Sequence, residues 1–193
     1  MAQNKDQKED LELVAKSLES AAAYEKLVRK YQSKILNYIK RISGVPMEEA
    51  EDIAQEVFLK VYQNLNAFDQ NKKFSSWLFS IAHNETISYW RKNKKRLNDP
   101  DIEDEHLEYF LKDEFNTDEK VDNQKLKEDL EVALKKLPIK YREVVQLKYF
   151  YDYSYEEISD IIKKPTATVG TLLSRAKKLL VKEVDLDKYK KYE

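Results

Sequence analysis

The stretch AAAYEKLVRKYQSKILNYIKRISGVPMEEA, residues 21–50, decides the fold class, because it holds a whole helix and the signals that end it. Its apolar residues recur at spacings of three and four, which is the pattern of one buried stripe along an α-helix. They are Tyr24, Leu27, Val28, Tyr31, Ile35, Tyr38, Ile39 and Ile42. Gly44 suits the left-handed conformation that follows many helix ends. Pro46, Glu48 and Glu49 fit the first turn of a second helix.

The sequence after this stretch continues the helical pattern. The second helix carries a line of apolar residues consisting of Ile53, Val57 and Val61. A polar loop, residues 66–73, separates it from a third helix, which begins near Phe74 and runs into the basic cluster RKNKKR, residues 91–96. Only two glycines and four prolines occur in 193 residues, which disfavours sheets joined by many tight turns. The sequence therefore predicts an all-α fold.

The C-terminal part of the chain has the pattern of a helix-turn-helix. Two short apolar-periodic segments, residues 155–162 and about 166–181, are separated by the tight break KKPT, residues 163–166. Ser154 and Glu157 have the spacing of a capping box, which begins the first of these helices. In such a pair the second helix typically enters the major groove of DNA.

The net charge of −1 conceals three blocks of different sign. Residues 21–97 have a balance of +6, residues 98–124 a balance of −9, and residues 125–193 a balance of +4. Two basic blocks flanking an acidic one are expected when separate modules bind a polyanion and the segment between them binds something else. Lysine-rich helices that simply face water would explain this pattern of charge equally well.

These observations predict two small helical domains joined by an acidic linker. The boundaries that we predict are an N-terminal extension over 1–20, a first domain over 21–97, the acidic linker over 98–124, a helix-turn-helix domain over 125–185 and a tail over 186–193. The linker contains aromatic and leucine residues, which is unusual for an inert spacer and suggests a segment that orders against a partner.

Several classes of protein are disfavoured by composition. The chain has no cysteine and two histidines, so disulfides, thiolate zinc sites and cysteine nucleophiles are excluded. We find no phosphate-binding loop, nucleophile–base pair or metal-ligand cluster, and therefore expect no enzymatic activity, no catalytic residue, no metal and no cofactor. No run of about 18 apolar residues occurs, so we expect no membrane insertion and a cytoplasmic protein.

Two sets of motifs, in order along the chain, resemble the extracytoplasmic-function (ECF) sigma factors of bacterial RNA polymerase. The first set is DIAQEVF (52–58), FSSWL (74–78) and IAHN (81–84). The second set is LP and YR within 137–142, YEEI (155–158) and SRAK (174–177). The resemblance covers roughly residues 21–180. It implies a protein that binds core RNA polymerase, recognises promoter −10 and −35 elements and helps to open the DNA.

The resemblance implies a role for one face of the second helix. Asp52, Gln55 and Glu56 lie at spacings of three and four, so they share a face beside the apolar stripe. In the family, the matching residues dock on the coiled coil of the largest polymerase subunit. Without the surrounding motif, the same residues would be read as an acidic helix N-terminus facing water.

The segment 66–77 resembles the part of the family that captures the single-stranded −10 element. A base removed from the stack requires stacking and hydrogen bonds to its edge in compensation. The aromatic candidates are Phe68, Phe74 and Trp77, and the polar candidates are Asp69, Asn71 and Lys73. A small helical domain also needs aromatic residues inside, so we expect Phe74 or Trp77 to be partly core.

The third helix resembles the family's helix that faces the non-template strand. Asn84 matches the family's asparagine, and the basic residues that extend this face as phosphate contacts are Arg91, Lys92, Lys95 and Arg96. Two positions depart from the family, in which His83 is commonly arginine and Ser88 commonly aspartate. We expect His83 to contact a phosphate when it is protonated.

The resemblance also assigns the second helix of the helix-turn-helix to the −35 element. The candidate contact residues are Thr166, Thr168, Gly170, Thr171, Ser174, Arg175, Lys177 and Lys178. Arg175 is the candidate for reading guanine, because its fork matches two acceptors, and the two lysines are candidates for phosphate contacts. Gly170 and Leu172 depart from positions that are often basic in the family. Either the backbone approaches DNA closely there, or the −35 contacts are fewer.

Three questions stay open at the level of sequence. The acidic linker is either a nucleic-acid mimic in a basic polymerase channel or an unstructured tether. The family comparison suggests an anti-sigma factor as a possible partner, although no residue shows one. A conventional helix-turn-helix regulator that binds duplex DNA as a dimer would explain the C-terminal domain, but it leaves residues 52–96 without a purpose.

Overall fold

In this computed structural model, residues 2–97 and 124–183 are described, with side chains over 6–93 and 130–183. The helices are α1 (Ala2–Ser17), α2 (Ala21–Ser43), α3 (Met47–Asn64), α4 (Phe74–Leu97), α5 (Gln124–Lys136), α6 (Ile139–Val145), α7 (Tyr155–Ile162) and α8 (Thr166–Glu183). A 3-10 turn, Leu65–Ala67, follows α3, and a π-helical turn, Gln146–Phe150, continues α6. The all-α prediction is confirmed, with no strand in the described ranges. Nearly all of the predicted acidic linker lies outside them.

The N-terminal bundle, α1–α4, is built around the apolar stripe of α2. The stripe residues Ile35, Tyr38 and Ile39 are fully buried. Gly44 ends the helix with a φ of 70°, and its backbone N–H donates to the carbonyl of Lys40 at 2.9 Å. Glycine adopts this left-handed conformation without the Cβ clash that other residues incur, so the predicted helix end is confirmed.

The N-terminal segment forms part of this bundle. α1 packs along α2, with Val14 buried and Asp10 only 4% exposed. The hydroxyl of Tyr31 donates to Asp10 Oδ2 at 2.5 Å, and Lys30 Nζ lies 2.8 Å from Asp10 Oδ1. A buried charge needs such partners to offset its lost hydration. Residues 1–20, which the sequence set apart as an extension, therefore contribute a packed helix over Ala2–Ser17.

The C-terminal bundle, α5–α8, contains the helix-turn-helix. The hydroxyl of Ser154 accepts the N–H of Glu157 at 3.2 Å, and the Glu157 carboxylate accepts the N–H of Ser154 at 2.8 Å. This reciprocal pair confirms the predicted capping box at the start of α7. Lys163 ends α7 in the left-handed conformation, with a φ of 54°, and α8 begins three residues later. The buried residues Ile158, Ile161, Val169 and Leu173 join the two helices.

The two bundles pack directly against each other and share one apolar core. The ring of Phe79 in α4 lies 4.8 Å, centroid to centroid, from that of Tyr151 and 5.4 Å from that of Tyr153. The ring of Tyr38 of α2 joins this cluster, 5.1 Å from that of Phe79 and 6.1 Å from that of Tyr151. The most extensive contact between the bundles is that of α4 with α7. The structure is therefore a closed arrangement, in which the helix-turn-helix rests on the N-terminal bundle.

None of the helices within the described ranges is both long enough and apolar enough to cross a membrane.

Candidate polymerase and nucleic-acid interfaces

The predicted polymerase-docking face of α3 is open. Asp52, Gln55 and Glu56 are all exposed, whereas Ile53 and Val57 on the opposite side of the helix are buried. Burial of one apolar stripe thus fixes the rotation of α3 and turns its acidic residues outward. The three residues share one accessible face, as the sequence spacing indicated.

Two large residues that sequence reasoning missed extend this acidic face. Leu59 is 49% exposed and Tyr62 is 53% exposed. They follow Asp52 and Gln55 by seven residues, which is two helical turns along the same line. The Tyr62 ring rests against that of Tyr24, 5.0 Å between centroids. Exposed apolar residues beside charged ones are typical of protein interfaces, and their heptad spacing was the signal that could have revealed them.

The aromatic residues predicted to capture the −10 element form a cluster rather than an open platform. Phe68 is 7% exposed and Phe74 is 1% exposed, with their centroids 5.5 Å apart in an edge-to-face contact. Trp77, which is half-buried, lies 5.2 Å from Phe68. The expectation that Phe74 or Trp77 is partly core is confirmed. Phe68, expected to offer its face to a base, is turned inward here because the cluster is the core beneath the loop.

The polar residues of the same loop stabilise its shape. The Asp69 carboxylate accepts both the backbone N–H and the side-chain amide of Asn71, each at 3.0 Å. The N–H of Lys72 donates to the Asp69 carbonyl at 2.9 Å, which closes the turn. Asp69 and Asn71 both remain exposed. The loop is therefore held in one shape while its polar edges stay accessible.

Lysines at the end of this loop contact the helix-turn-helix. Lys73 Nζ lies 2.7 Å from Glu157 Oε1, and Lys72 Nζ lies 3.4 Å from Asp160 Oδ2. Glu157 therefore uses one oxygen for the capping box of α7 and the other for the N-terminal bundle. In this arrangement the ammonium group of Lys73, a candidate −10 contact, is paired with an acidic residue of the other bundle.

His83 likewise contacts the other bundle. Its Nδ1 lies 2.5 Å from Glu143 Oε1, a carboxylate that is almost fully buried, and the hydroxyl of Tyr38 donates to the same oxygen. Burial raises the pKa of Tyr38 well above its ordinary value, and the Glu143 charge raises it further. Tyr38 therefore stays protonated and acts as a donor. In the closed arrangement Nδ1 of His83 is therefore engaged by a carboxylate of the other bundle.

The outer face of α4 is exposed. Asn84, Arg91 and Lys92 are exposed, and their spacing of seven and eight places them on one line of the helix. Lys60 Nζ pairs with Glu85 Oε1 at 2.7 Å, which joins α4 to α3 beside this face. The exposed side of α4 thus carries Asn84, Arg91 and Lys92 together. The side chains of Lys95 and Arg96 lie outside the described residues.

The recognition helix α8 has a buried face and an exposed one. Thr166, Thr171 and Ser174 are exposed, and the partly buried predicted residues are Thr168, Gly170, Arg175, Lys177 and Lys178. Leu172 is 8% exposed, so it packs in the core. The sequence shows Leu172 at a position that is often basic in the family, and in the structure this side chain packs inward, away from the exposed face.

Gly170 lies on the side of α8 that faces the start of α7. A Cβ at this position would lie 3.6 Å from Cε2 of Tyr155. This contact gives the glycine a neighbour within the protein. Neither explanation considered from the sequence, a close approach of DNA or a loss of contacts, included this tyrosine.

No group of three or more histidine, aspartate or glutamate residues that could hold a metal ion occurs within the described side chains.

Comparison with known proteins matches both bundles to one family. The Sigma-70 region 2 model matches residues 27–96, and the Sigma-70 region 4 model matches residues 127–180. The chain is 36% identical over 167 residues to the ECF RNA polymerase sigma factor SigW of Bacillus subtilis, covering 84% of this chain and 89% of that relative. It is 33% identical over 165 residues to the RNA polymerase sigma-H factor of Pseudomonas aeruginosa, covering 83% and 85%.

Two solved structures share the fold. One is CnrH in complex with the cytosolic domain of CnrY, with a TM-score of 0.65 and 20% identity over 92% of this chain and 98% of that one. The other is the sigma factor RpoE in complex with the anti-sigma factor NepR from Bartonella quintana, with a TM-score of 0.62 and 23% identity over 85% and 98%. Two family models in the expected order, together with relatives that span most of the chain, show that this protein belongs to the ECF group of RNA polymerase sigma factors.

Proposed function

We propose that three separate surfaces divide the work of this sigma factor. The acidic face of α3 docks on the coiled coil of the largest subunit of core polymerase. The loop 66–73 and the outer face of α4 bind the single-stranded −10 element. The exposed face of α8 enters the major groove of the −35 element. The protein does this in the bacterial cytoplasm and catalyses no reaction itself, since the nucleotidyl transfer belongs to the core enzyme.

One observation carries this assignment. Each of α3, α4 and α8 buries one face in the core and leaves the opposite face open, and the open faces hold the candidate residues Asp52, Asn84 and Ser174. The α3 face is acidic and includes apolar residues, as suits a protein partner. The α4 and α8 faces carry basic and small polar residues, as suits DNA.

We further propose that the closed arrangement must open before the −10 element is bound. Lys73 and His83 are paired with Glu157 and Glu143 across the contact between the bundles. The −10 and −35 elements are about 25 base pairs apart, which is about 85 Å of duplex. The 26 residues between 97 and 124 can span about 90 Å when fully extended. The connection is therefore long enough for both elements to be bound together once the bundles separate.

We also propose that an anti-sigma factor is a partner of this protein. CnrH and RpoE, which share its fold, were solved as complexes, in the case of RpoE with a protein described as an anti-sigma factor. A partner that bridges the two bundles would favour the closed arrangement by its binding free energy. Such a partner would act by keeping Lys73 and His83 away from DNA.

The deciding experiment is transcription in vitro with bacterial core polymerase and a library of genomic fragments, followed by mapping of the start sites. We expect initiation at a set of related promoters only when the protein is present. Footprints on duplex DNA in the absence of polymerase, without any specific initiation in its presence, would instead support a conventional helix-turn-helix regulator.

A further inference from the structure

A buried hydrogen-bonded network at the contact between the bundles contains a histidine. The centre of the network is the carboxylate of Glu143 in α6, whose side chain is 4% exposed. Two groups of the N-terminal bundle contact the same oxygen, Oε1. They are Nδ1 of His83 in α4, at 2.5 Å, and the hydroxyl of Tyr38 in α2. Because the carboxylate belongs to the C-terminal bundle, separation of the bundles would break both contacts at once.

His83 is the member of this network that can change its charge near neutral pH. A histidine side chain ordinarily gains or loses its proton between about pH 5 and pH 8. The phenol of Tyr38 keeps its proton throughout that range, because burial and the Glu143 charge raise its pKa well above 10.0. The side chain of His83 is 15% exposed, so its ring lies at the edge of the contact, within reach of water.

The buried carboxylate favours the protonated form of His83. A carboxylate that is taken out of water requires hydrogen bonds and an opposite charge to offset its lost hydration. Tyr38 supplies a neutral donor, and His83 is placed to supply the opposite charge. A charged imidazole donates a hydrogen bond about twice as strong as that of a neutral one. Once the bundles separate, water replaces both partners and this difference disappears.

The other ionisable groups that face this part of the contact have partners of their own. Arg41 of α2 donates to Gln146 at 3.5 Å, and Arg142 of α6 donates to carbonyls at helix ends. Burial raises the pKa of Tyr151 to about 12 and also raises that of Tyr153, so both phenols are neutral at cellular pH. The imidazole is therefore the group through which a proton can act on this contact.

We propose that protonation of His83 stabilises the closed arrangement, so that the protein withholds its −10 surface as the pH falls. The ion pair with Glu143 exists only while the imidazole is charged. Its contribution to closure is therefore present below the range in which His83 titrates, and is lost as the pH rises through that range. This inference rests on the proposal that the bundles separate before the −10 element is bound.

The test measures closure of the full-length chain by fluorescence energy transfer. The sequence has no cysteine, so Lys26→Cys in α2 and Lys135→Cys in α5 place one dye on each bundle, both at exposed residues. Energy transfer is recorded between about pH 6 and pH 8, which spans most of the ordinary titration range of histidine. It is recorded again after addition of core polymerase and a promoter identified by start-site mapping.

We expect the ratio of closed to open chains to fall by about tenfold over this range, because a charge-assisted hydrogen bond becomes a neutral one. His83→Asn and Glu143→Gln should each abolish the fall, since one removes the titrating group and the other its anion. Tyr38→Phe removes a donor that does not titrate here. It should lower the ratio by about threefold at every pH and leave the fall intact.

The second of the two histidines in the sequence provides the matched control. It is His106, in the predicted acidic linker, and His106→Asn should keep the full dependence on pH. Circular dichroism at both ends of the pH range shows whether each variant is folded.

Two results would overturn the role of His83 while leaving the proposed opening intact. In the first, the ratio of closed to open chains does not change with pH. In the second, it falls equally in His83→Asn or in Glu143→Gln. In both cases, loss of energy transfer on binding polymerase and promoter would still support separation of the bundles. Energy transfer that stays unchanged in that complex would contradict the proposed opening itself.

Discussion

At the scale of single residues, the guanidinium of Arg142 binds helix ends in both bundles. It donates to the carbonyls of Leu134, Lys135 and Leu137 at the end of α5, at 3.0, 3.0 and 2.7 Å. Its Nη1 donates to the carbonyl of Ile42 near the end of α2, at 2.8 Å. The last carbonyls of a helix lack partners within it and carry partial negative charge, so a buried cation satisfies both needs.

Replacement of Arg142 by alanine should lower the free energy of unfolding by about 3–5 kcal/mol, because several buried carbonyls lose their donors. Urea denaturation followed by circular dichroism measures this change. Arg29→Ala is a suitable control, since Arg29 forms only an exposed pair with Glu25 and should contribute less than about 1 kcal/mol. An equal fall in the free energy of unfolding for the two variants would show that the hydrogen bonds of Arg142 to helix ends stabilise the fold no more than an exposed ion pair does.

The partly buried Tyr24 is expected to make the stability of the protein sensitive to alkaline pH. Burial raises the pKa of Tyr24 from its ordinary value of 10.0 to about 12. A group whose pKa is higher in the folded state stabilises the fold below its unfolded pKa, and this contribution is lost as the pH rises through the folded pKa. The free energy of unfolding should therefore fall between about pH 10 and pH 12. Denaturation at several pH values would show a shallower fall for Tyr24→Phe than for the wild type.

Single residues also mark a limit of sequence reasoning. Phe68, Phe74 and Trp77 are similar in size and hydrophobicity, so composition alone could not decide which of them faces outward. The cluster geometry decides it, because Phe68 and Phe74 are buried and Trp77 is only half-buried. Such a choice depends on neighbours that are distant in the chain, and the Phe74 ring packs against Tyr31 of α2.

At the scale of elements, helix boundaries followed local signals and were predictable. Gly44 ends α2 and Ser154 begins α7, as the sequence indicated, since capping depends on residues within one turn. The rotation of α8 about its own axis was harder to predict from the sequence. Leu172 stands at a position that is often basic in the family, but the packing of α8 on α6 and α7 turns it inward. Helix rotation is set by tertiary contacts, which the sequence of one helix does not contain.

The exposed face of α3 gives a prediction for polymerase binding. Asp52→Asn and Glu56→Gln together should weaken association with core polymerase, and Leu59→Ala should weaken it by about tenfold or more if the leucine is a central contact. Pull-down with core polymerase measures this. Glu12→Gln, an exposed acidic residue of α1, is the matched control and should have no effect. Unchanged binding of the α3 variants would remove the docking role from this face.

At the scale of the whole molecule, the contact between the bundles was not predictable. Lys73 and Glu157 are 84 residues apart, and no periodicity or capping signal connects them. The pattern of charge did indicate separate modules, but it gave no sign that they close on each other. The closed arrangement leaves the exposed residues of α8 accessible and engages Lys73 and His83, which we propose contact the −10 element. The two proposed DNA-binding faces therefore differ in availability.

This difference yields a prediction about opening that the absence of cysteine makes easy to test. Lys72 and Asp160 form an exposed pair at the rim of the contact, 3.4 Å between Nζ and Oδ2. The double variant Lys72→Cys with Asp160→Cys can be linked by a short bismaleimide, which should hold the bundles together. The linked protein should lose promoter opening, because the −10 and −35 elements are about 85 Å apart and a closed chain cannot span them.

Opening is measured by permanganate reactivity of unpaired thymines at a mapped promoter. A linker that contains a reducible disulfide should restore opening when it is cleaved, which separates the constraint from damage caused by the substitutions. Lys72→Cys alone, treated with the same reagent, should open the promoter as well as the wild type. If the linked protein opened promoters normally, the bundles would not need to separate, and the pairing of Lys73 with Glu157 would be compatible with binding of the −10 element.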